Sequence, residues 1–244
     1  KLLKLNGDNI LLDELLEKLK DKNLVRKITR TNFDKTEFCP IFEYNSIQPK
    51  TKFNHFEVFG EKSYCSIERS LFPFFGLPQY GVHCNGWKKK SDEFYFFFAK
   101  RSKHLNDFPN LYDNLVGGGQ PSGISIYENL KKEAFEEAGI FQLKKKYITK
   151  GNTINYFHNH KNFAFSGIIF VYDYEIYKDI NFKNMDGEVE SFYCISVDKL
   201  FTLLEKKKLK PNAIISIADF FLRNLSEYFP KTGILEIKNI LKND

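Results

Sequence analysis

The stretch Gly117–Ile140, GGGQPSGISIYENLKKEAFEEAGI, decides the fold. Gly117, Gly118, Gly119 and Gly123 surround a short polar turn, and a segment rich in alanine and glutamate follows and stops at Gly139. These glycines read as a loop whose backbone amides and carbonyls approach a ligand closely, directly before a helix. The helix is expected over Tyr127–Ala138. At about 100° per residue, Tyr127, Leu130, Ala134 and Ala138 form a stripe suited to packing on a sheet, and Glu133, Glu136 and Glu137 fall in a separate narrow arc. Carboxylates at these spacings oppose one another by about 0.2–0.5 kcal/mol per pair. Lys132 can pair with Glu136 one helical turn on, but one ammonium does not neutralise three carboxylates. The arc reads either as a solvated acidic face or, next to the glycine loop, as a set of carboxylate oxygens for a hard divalent cation.

Upstream of the glycines, YGVHCNGWKKK (80–90) and DEFYFFFAKRS (92–102) read as strands separated by a charged turn, and an irregular stretch follows. Downstream, residues 145–157 and 162–176 read as a hairpin, NMDGEVESF (184–192) as an acidic turn and FYCIS (192–196) as a strand, before two helices starting near 198 and 212. Near the start, Leu11, Leu12, Leu15, Leu16 and Leu19 mark an amphipathic helix. Residues 55–76 read as a strand, a turn and a short helix ending at Gly76. This divides the chain into a small α+β unit, 1–76, and a larger unit, 77–244, with no low-complexity linker between them.

With 42% hydrophobic and 28% charged residues over 244 positions, the chain has enough apolar side chains for a sizeable core, which excludes a disordered class. The longest apolar runs, 94–99 and 166–172, are far too short to cross a bilayer as helices. Cys39, Cys65, Cys84 and Cys194 show no CxxC or zinc-like spacing and read as reduced thiols, and no signal-peptide pattern is present, so the expected location is cytoplasmic. A net charge of +6 favours anionic partners, but the lysines are dispersed and no nucleic-acid-reading motif accompanies them. The expected partner is a phosphorylated small molecule, with neither nucleic acid nor membrane, and an oligomer is left open.

The glycine–glutamate segment resembles the Nudix box, whose signature runs glycine, five residues, glutamate, seven residues, then R-E-U-x-E-E-x-G-U with U bulky and apolar. Gly118, Glu133, Glu136, Glu137, Gly139 and Ile140 match it. Ile124 stands at the first glutamate and Lys132 at the arginine, and Ala134 is smaller than usual. The ordered runs YGVHCNGW, AKRS, LYDNLVGGGQPSG, LKKEAFEEAG, DGEVESF and LKPNAIISIADFFLRN resemble, more narrowly, a Nudix subgroup found beside or fused to thiamin pyrophosphokinase. Gly117 stands where that subgroup has alanine, and Asn110 where it has glycine.

The resemblance implies an α+β fold, an α/β/α Nudix sandwich, with residues 1–76 as an N-terminal α+β extension. It implies Mg²⁺-dependent hydrolysis of a diphosphate, Mn²⁺ being an alternative, with thiamine diphosphate or its oxidised oxy and oxo analogues as substrate. Glu133, Glu136, Glu137 and the Gly117 carbonyl would hold the metal, with the three glutamates and Glu188 catalytic. Glu188 and Glu190 compete for one place facing the site, the other being left in an exposed turn. Lys100 and Arg101 are expected to clamp the diphosphate, His83, Asn85, Gly118 and Gly119 to contact substrate, Asn114 to organise the glycine backbone, and Trp87 to offer an aromatic wall or pack in the core. A nucleotide-type substrate such as ADP-ribose is the alternative activity. Ile124 and Lys132 raise a third reading, a catalytically idle ligand-binding module.

Overall fold

The computed structural model describes residues 37–42, 53–160 and 163–228. The helix expected around Leu11–Leu19 lies outside them. Strands β1 (Phe38–Ile41) and β2 (Cys65–Glu68) pair antiparallel, and β2 leads through a single tight turn into α1 (Phe72–Phe75), which stops at left-handed Gly76. Cys39, Ile67, Leu71 and Phe72 form the small core of this part. Residues 55–59, expected as a strand, make only an isolated bridge at Val58, because Phe59 turns inward to pack on Tyr80 and Phe170 of the main sheet.

That sheet has seven strands: β3 (Pro78–Lys90), β4 (Glu93–Arg101), β5 (Tyr112–Asn114), β6 (Val116–Gly119), β7 (Ile148–His160), β8 (Phe163–Glu175) and β9 (Val189–Ser196). Its main path runs β5-β4-β3-β8-β7. β3 is the hub. One edge pairs with β6 over Gly81–Cys84 and with β4 over Gly86–Lys90, and the other pairs parallel with β8. β9 adds antiparallel to β4, and β7 and β8 form the expected hairpin.

Helix α2 (Ile126–Ala138) covers one face, where Ile126, Leu130, Ala134 and Ala138 join Tyr80, Val82, Phe170 and Tyr172. Helices α3 (Val197–Glu205) and α4 (Pro211–Asn224) cover the other, with Leu200, Ile217 and Phe220 against Phe96, Phe98 and Ile195. The α/β/α sandwich is thus present. Trp87 stacks on Phe94 and contacts Phe220, so it is core.

α2 begins at a capping box: Ser125 Oγ accepts from Glu128 N–H at 3.1 Å, and Glu128 Oε2 accepts from Ser125 N–H at 2.9 Å. It ends at Gly139 (φ 65°), in the left-handed region that glycine enters without a Cβ penalty. The three glycines before it are not a loop. Gly117–Gly119 are strand β6, and the absence of side chains serves close packing: a Cβ on Gly118 would overlap the Glu133 carboxylate, and one on Gly119 would overlap the Arg69 guanidinium.

Candidate active site

β6 and α2 together wall a cavity of about 230 Å³. The helix is fastened to the strand by two contacts: Asn129 Nδ2 donates to the Gly119 carbonyl at 2.8 Å, and Gly117 N–H donates to Glu137 Oε2 at 2.7 Å. Glu133, Glu136 and Glu137 line the cavity from α2, with Asp186 and Glu188 from the turn before β9. Glu133 and Glu137 are both only 6% exposed. Burial pushes Glu133 up to about 7, against the opposing pull of Lys132. Burial raises Glu137 well above the carboxylate range, and the charges of Glu133 and Glu188 add to it. Asp186 rises to about 6, again chiefly through burial.

Lys132 answers part of this charge. Its Nζ lies 3.0 Å from both Glu133 Oε1 and Glu136 Oε2, and 3.9 Å from Glu37 Oε1. Among the described residues, no three acidic, histidine or cysteine side chains converge as a preformed cation cage. The donor set nonetheless fits a hard cation: buried carboxylates with raised proton affinity lack positive charge, and the Glu133–Glu136 pair is held by an ammonium that a divalent ion would displace.

Positive groups stand across the cavity. Arg101 donates from Nη1 to Asp113 Oδ2 at 3.3 Å and from Nη2 to the Asp107 carbonyl, and Lys210 Nζ lies 2.6 Å from Asp113 Oδ2. Burial alone would raise Asp113, but Lys210, His83 and Arg101 overcome it and hold the carboxyl at about 2. His83 lines the same space with Nδ1 2.7 Å from Asn114 Oδ1, and burial and Lys210 lower it to about 4, so it is neutral at neutral pH. Arg69, from the turn after β2, lines the cavity beside Gly118 and Gly119, with Nη1 2.7 Å from Glu37 Oε2.

Of the residues expected from sequence, Glu133, Glu136, Glu137, Glu188, Arg101, His83 and Gly117–Gly119 border this cavity. Two do not. Lys100 is turned outward by strand alternation, with its ammonium 2.9 Å from Glu190, which also decides that Glu188 and not Glu190 faces the site. Asn85 is buried beneath α4: its amide donates to Asp173 Oδ1 and the Ser216 carbonyl, and its oxygen accepts from Asn114 Nδ2. Asn114 therefore organises a side-chain network linking His83, Asn85 and Ser216. Ile124 lies outside the lining, and its carbonyl accepts from Phe59 N–H and Gln120 Nε2.

Several lining or supporting groups carry no assignment from sequence, among them Asp113, Asp186, Lys210 and Arg69. Asp113, Asp186 and Lys210 lie inside the runs LYDNLV, DGEVESF and LKPN, so their neighbourhoods were marked although their roles were not. Arg69, in the run IERSLF, had no local signal.

No protein-family model matches the chain. It is 34% identical over 186 residues to Nudix hydrolase 20, chloroplastic, of Arabidopsis thaliana, covering 76% of this chain and 50% of that protein. With Nudix hydrolase 24, chloroplastic, of the same plant it is 33% identical over 186 residues, covering 76% and 51%. The chain spans about half the length of these curated relatives. The solved structure of DR0079 from Deinococcus radiodurans superposes with a TM-score of 0.51 at 14% identity, covering 75% of this chain and 99% of that one, a likeness of fold alone. With the box built on α2 and β6, the sandwich around it and this sequence similarity, the chain belongs to the Nudix hydrolase superfamily.

Proposed function

We propose that the chain is a divalent-metal-dependent hydrolase of small-molecule diphosphates, acting on thiamine diphosphate or its oxidised oxy and oxo analogues to give the monophosphate and phosphate. The observation that carries this reading is the polarity of one cavity, with a carboxylate wall on α2 and Arg69, Arg101 and Lys210 on other sides. Its volume of about 230 Å³ lies below the roughly 300–1,000 Å³ usual for drug-sized ligands, which favours a short diphosphate over a dinucleotide. Phe108 and Tyr156 border the cavity and offer aromatic surface for a heteroaromatic ring. The thiamine assignment further rests on the order of motifs along the chain.

Glu133, Glu136, Glu137 and the Gly117 carbonyl would hold Mg²⁺, or Mn²⁺, which when bound supplies charge to phosphate oxygens and acidifies water. Arg101 and Lys210, both steadied by Asp113, orient the diphosphate by charge-assisted hydrogen bonds. Glu188, which lines the cavity and is not among the metal's ligands, is the carboxylate available to take the proton released when water oxygen bonds to phosphorus. The bond from phosphorus to the bridging oxygen breaks, and phosphate leaves.

A hydrolysis panel with Mg²⁺ tests this. The expected result is the highest kcat/KM for thiamine diphosphate or an oxidised analogue, with inorganic phosphate released. Faster cleavage of ADP-ribose would overturn the substrate, and binding without cleavage across the panel would overturn the activity.

A further inference from the structure

The segment before the main sheet contributes to the cavity wall. Arg69 sits in the turn between β2 and α1, far in sequence from the glutamate helix, yet its side chain borders the same cavity as Glu133 and Glu137. Two features hold it there. Its backbone N–H donates to the Glu37 carbonyl at 2.9 Å, and its Nη1 lies 2.7 Å from Glu37 Oε2, so β1 and β2 act as a mount for the guanidinium. On the other side, β6 leaves room for it: a Cβ at Gly119 would overlap Nη1. Gly118 makes way for a carboxylate and Gly119 for a guanidinium, so consecutive residues of one strand seat opposite charges of the site.

A guanidinium carries five N–H donors in a planar fork matched to phosphate oxygens, and the Glu37 contact occupies Nη1. Arg101 and Lys210 are both drawn to Asp113, whereas Arg69 lies beside the glycine strand, in the field of Glu133 and Glu188. Of the three cations that line the cavity, Arg69, Arg101 and Lys210, it is therefore the one drawn toward the carboxylate wall. We propose that Arg69 binds a phosphate group of the substrate at the carboxylate end of the cavity, and that the β1–β2 pair and the turn after it are thereby a working part of the site. This rests on the diphosphate-hydrolase reading above.

The test uses the full chain in Mg²⁺ buffer, measuring hydrolysis of the best diphosphate in the panel and, by calorimetry, binding of the non-hydrolysable probe methylenediphosphonate. Arg69→Ala is expected to raise both KM and the probe's Kd by tenfold or more. Arg69→Lys, which keeps the charge and loses the fork, is expected to fall between Arg69→Ala and wild type. Glu37→Gln, which weakens the mount but keeps the guanidinium, is expected to change either quantity less than Arg69→Ala does. Probe affinity within threefold of wild type in both Arg69 variants, with folding confirmed by circular dichroism, would overturn the proposal. If Arg69→Ala does not fold, Arg69→Lys alone decides, by the same threefold limit. A wild-type chain that neither binds the probe nor cleaves any diphosphate would overturn the hydrolase reading itself, and this inference with it.

Discussion

Glu137 combines deep burial with one strong hydrogen bond, from the Gly117 N–H at 2.7 Å. A glutamine there keeps an oxygen that accepts this bond and loses the charge. Glu137→Gln is therefore expected to fold normally, lose activity by about a hundredfold or more, and lose most of the rise in melting temperature that Mg²⁺ gives the parent chain. Steady-state rates and paired melts with and without Mg²⁺ check this, and an unchanged rate would remove Glu137 from the metal assignment. At this scale the sequence was most legible where a local rule acts. The helical spacing of Glu133, Glu136 and Glu137 follows from the helix repeat, but strand alternation puts residues two apart on one face, and it is the register shift opposite Lys100 and Arg101, which skips Glu190, that separates Glu188 from Glu190. Lys100 and Asn85 were misread because their partners, Glu190 and Ser216, come from distant parts of the chain. Arg69 had no local rule to reveal it, since its place depends on how β2 meets β6.

Among the elements, β6 departs most from its sequence appearance. A run of glycines reads as a loop because glycine weakens strands, yet here three of them lie in register with Gly81, Val82 and His83 of β3. What the local sequence does not show is the close approach of α2. Gly118→Ala follows as a test: its methyl group would meet the Glu133 carboxylate, while neighbouring ladder bonds need no change. The expected outcome is a fall in kcat/KM of about a hundredfold, from displaced carboxylates, with the circular dichroism spectrum retained. An active Gly118→Ala chain would show that Glu133 tolerates displacement. The helix itself was legible to within a residue, because Ser125 and Gly139 are strong start and stop signals.

Across the whole molecule, His55 joins the segment before the sheet to β8 and α2. Its Nδ1 hydrogen-bonds the Tyr172 hydroxyl, its ring packs on Phe170 and Tyr172, and its carbonyl accepts from Tyr127 N–H. Its Nε2 is buried with no hydrogen-bond partner among the described residues, so a proton there would be poorly accommodated. Burial, with Lys150 nearby, lowers His55 to about 4 from an ordinary value of 6.5. Between those values the unfolded chain takes up a proton that the folded chain refuses. The contribution of His55 to stability is thus expected to be full above pH 6.5 and to be lost as pH drops toward 4, opposite in sign to the gain from the raised carboxyls Glu133, Glu137 and Asp186. His83, lowered similarly, contributes in the same direction as His55. Denaturant titrations across this range should show acidification costing His55→Phe less stability than it costs the parent, and equal pH dependence in the two would exclude His55 as a contributor. The parallel contact of β3 with β8 sets a different constraint, on the order of assembly. Asn85 meets Asp173 across 88 positions of chain, so during synthesis β3 emerges long before its parallel neighbour exists. The hub strand must wait with one edge unpaired, and sheet closure, with the burial of Phe170 and Tyr172, becomes a late and slow event that exposes the nascent chain to aggregation.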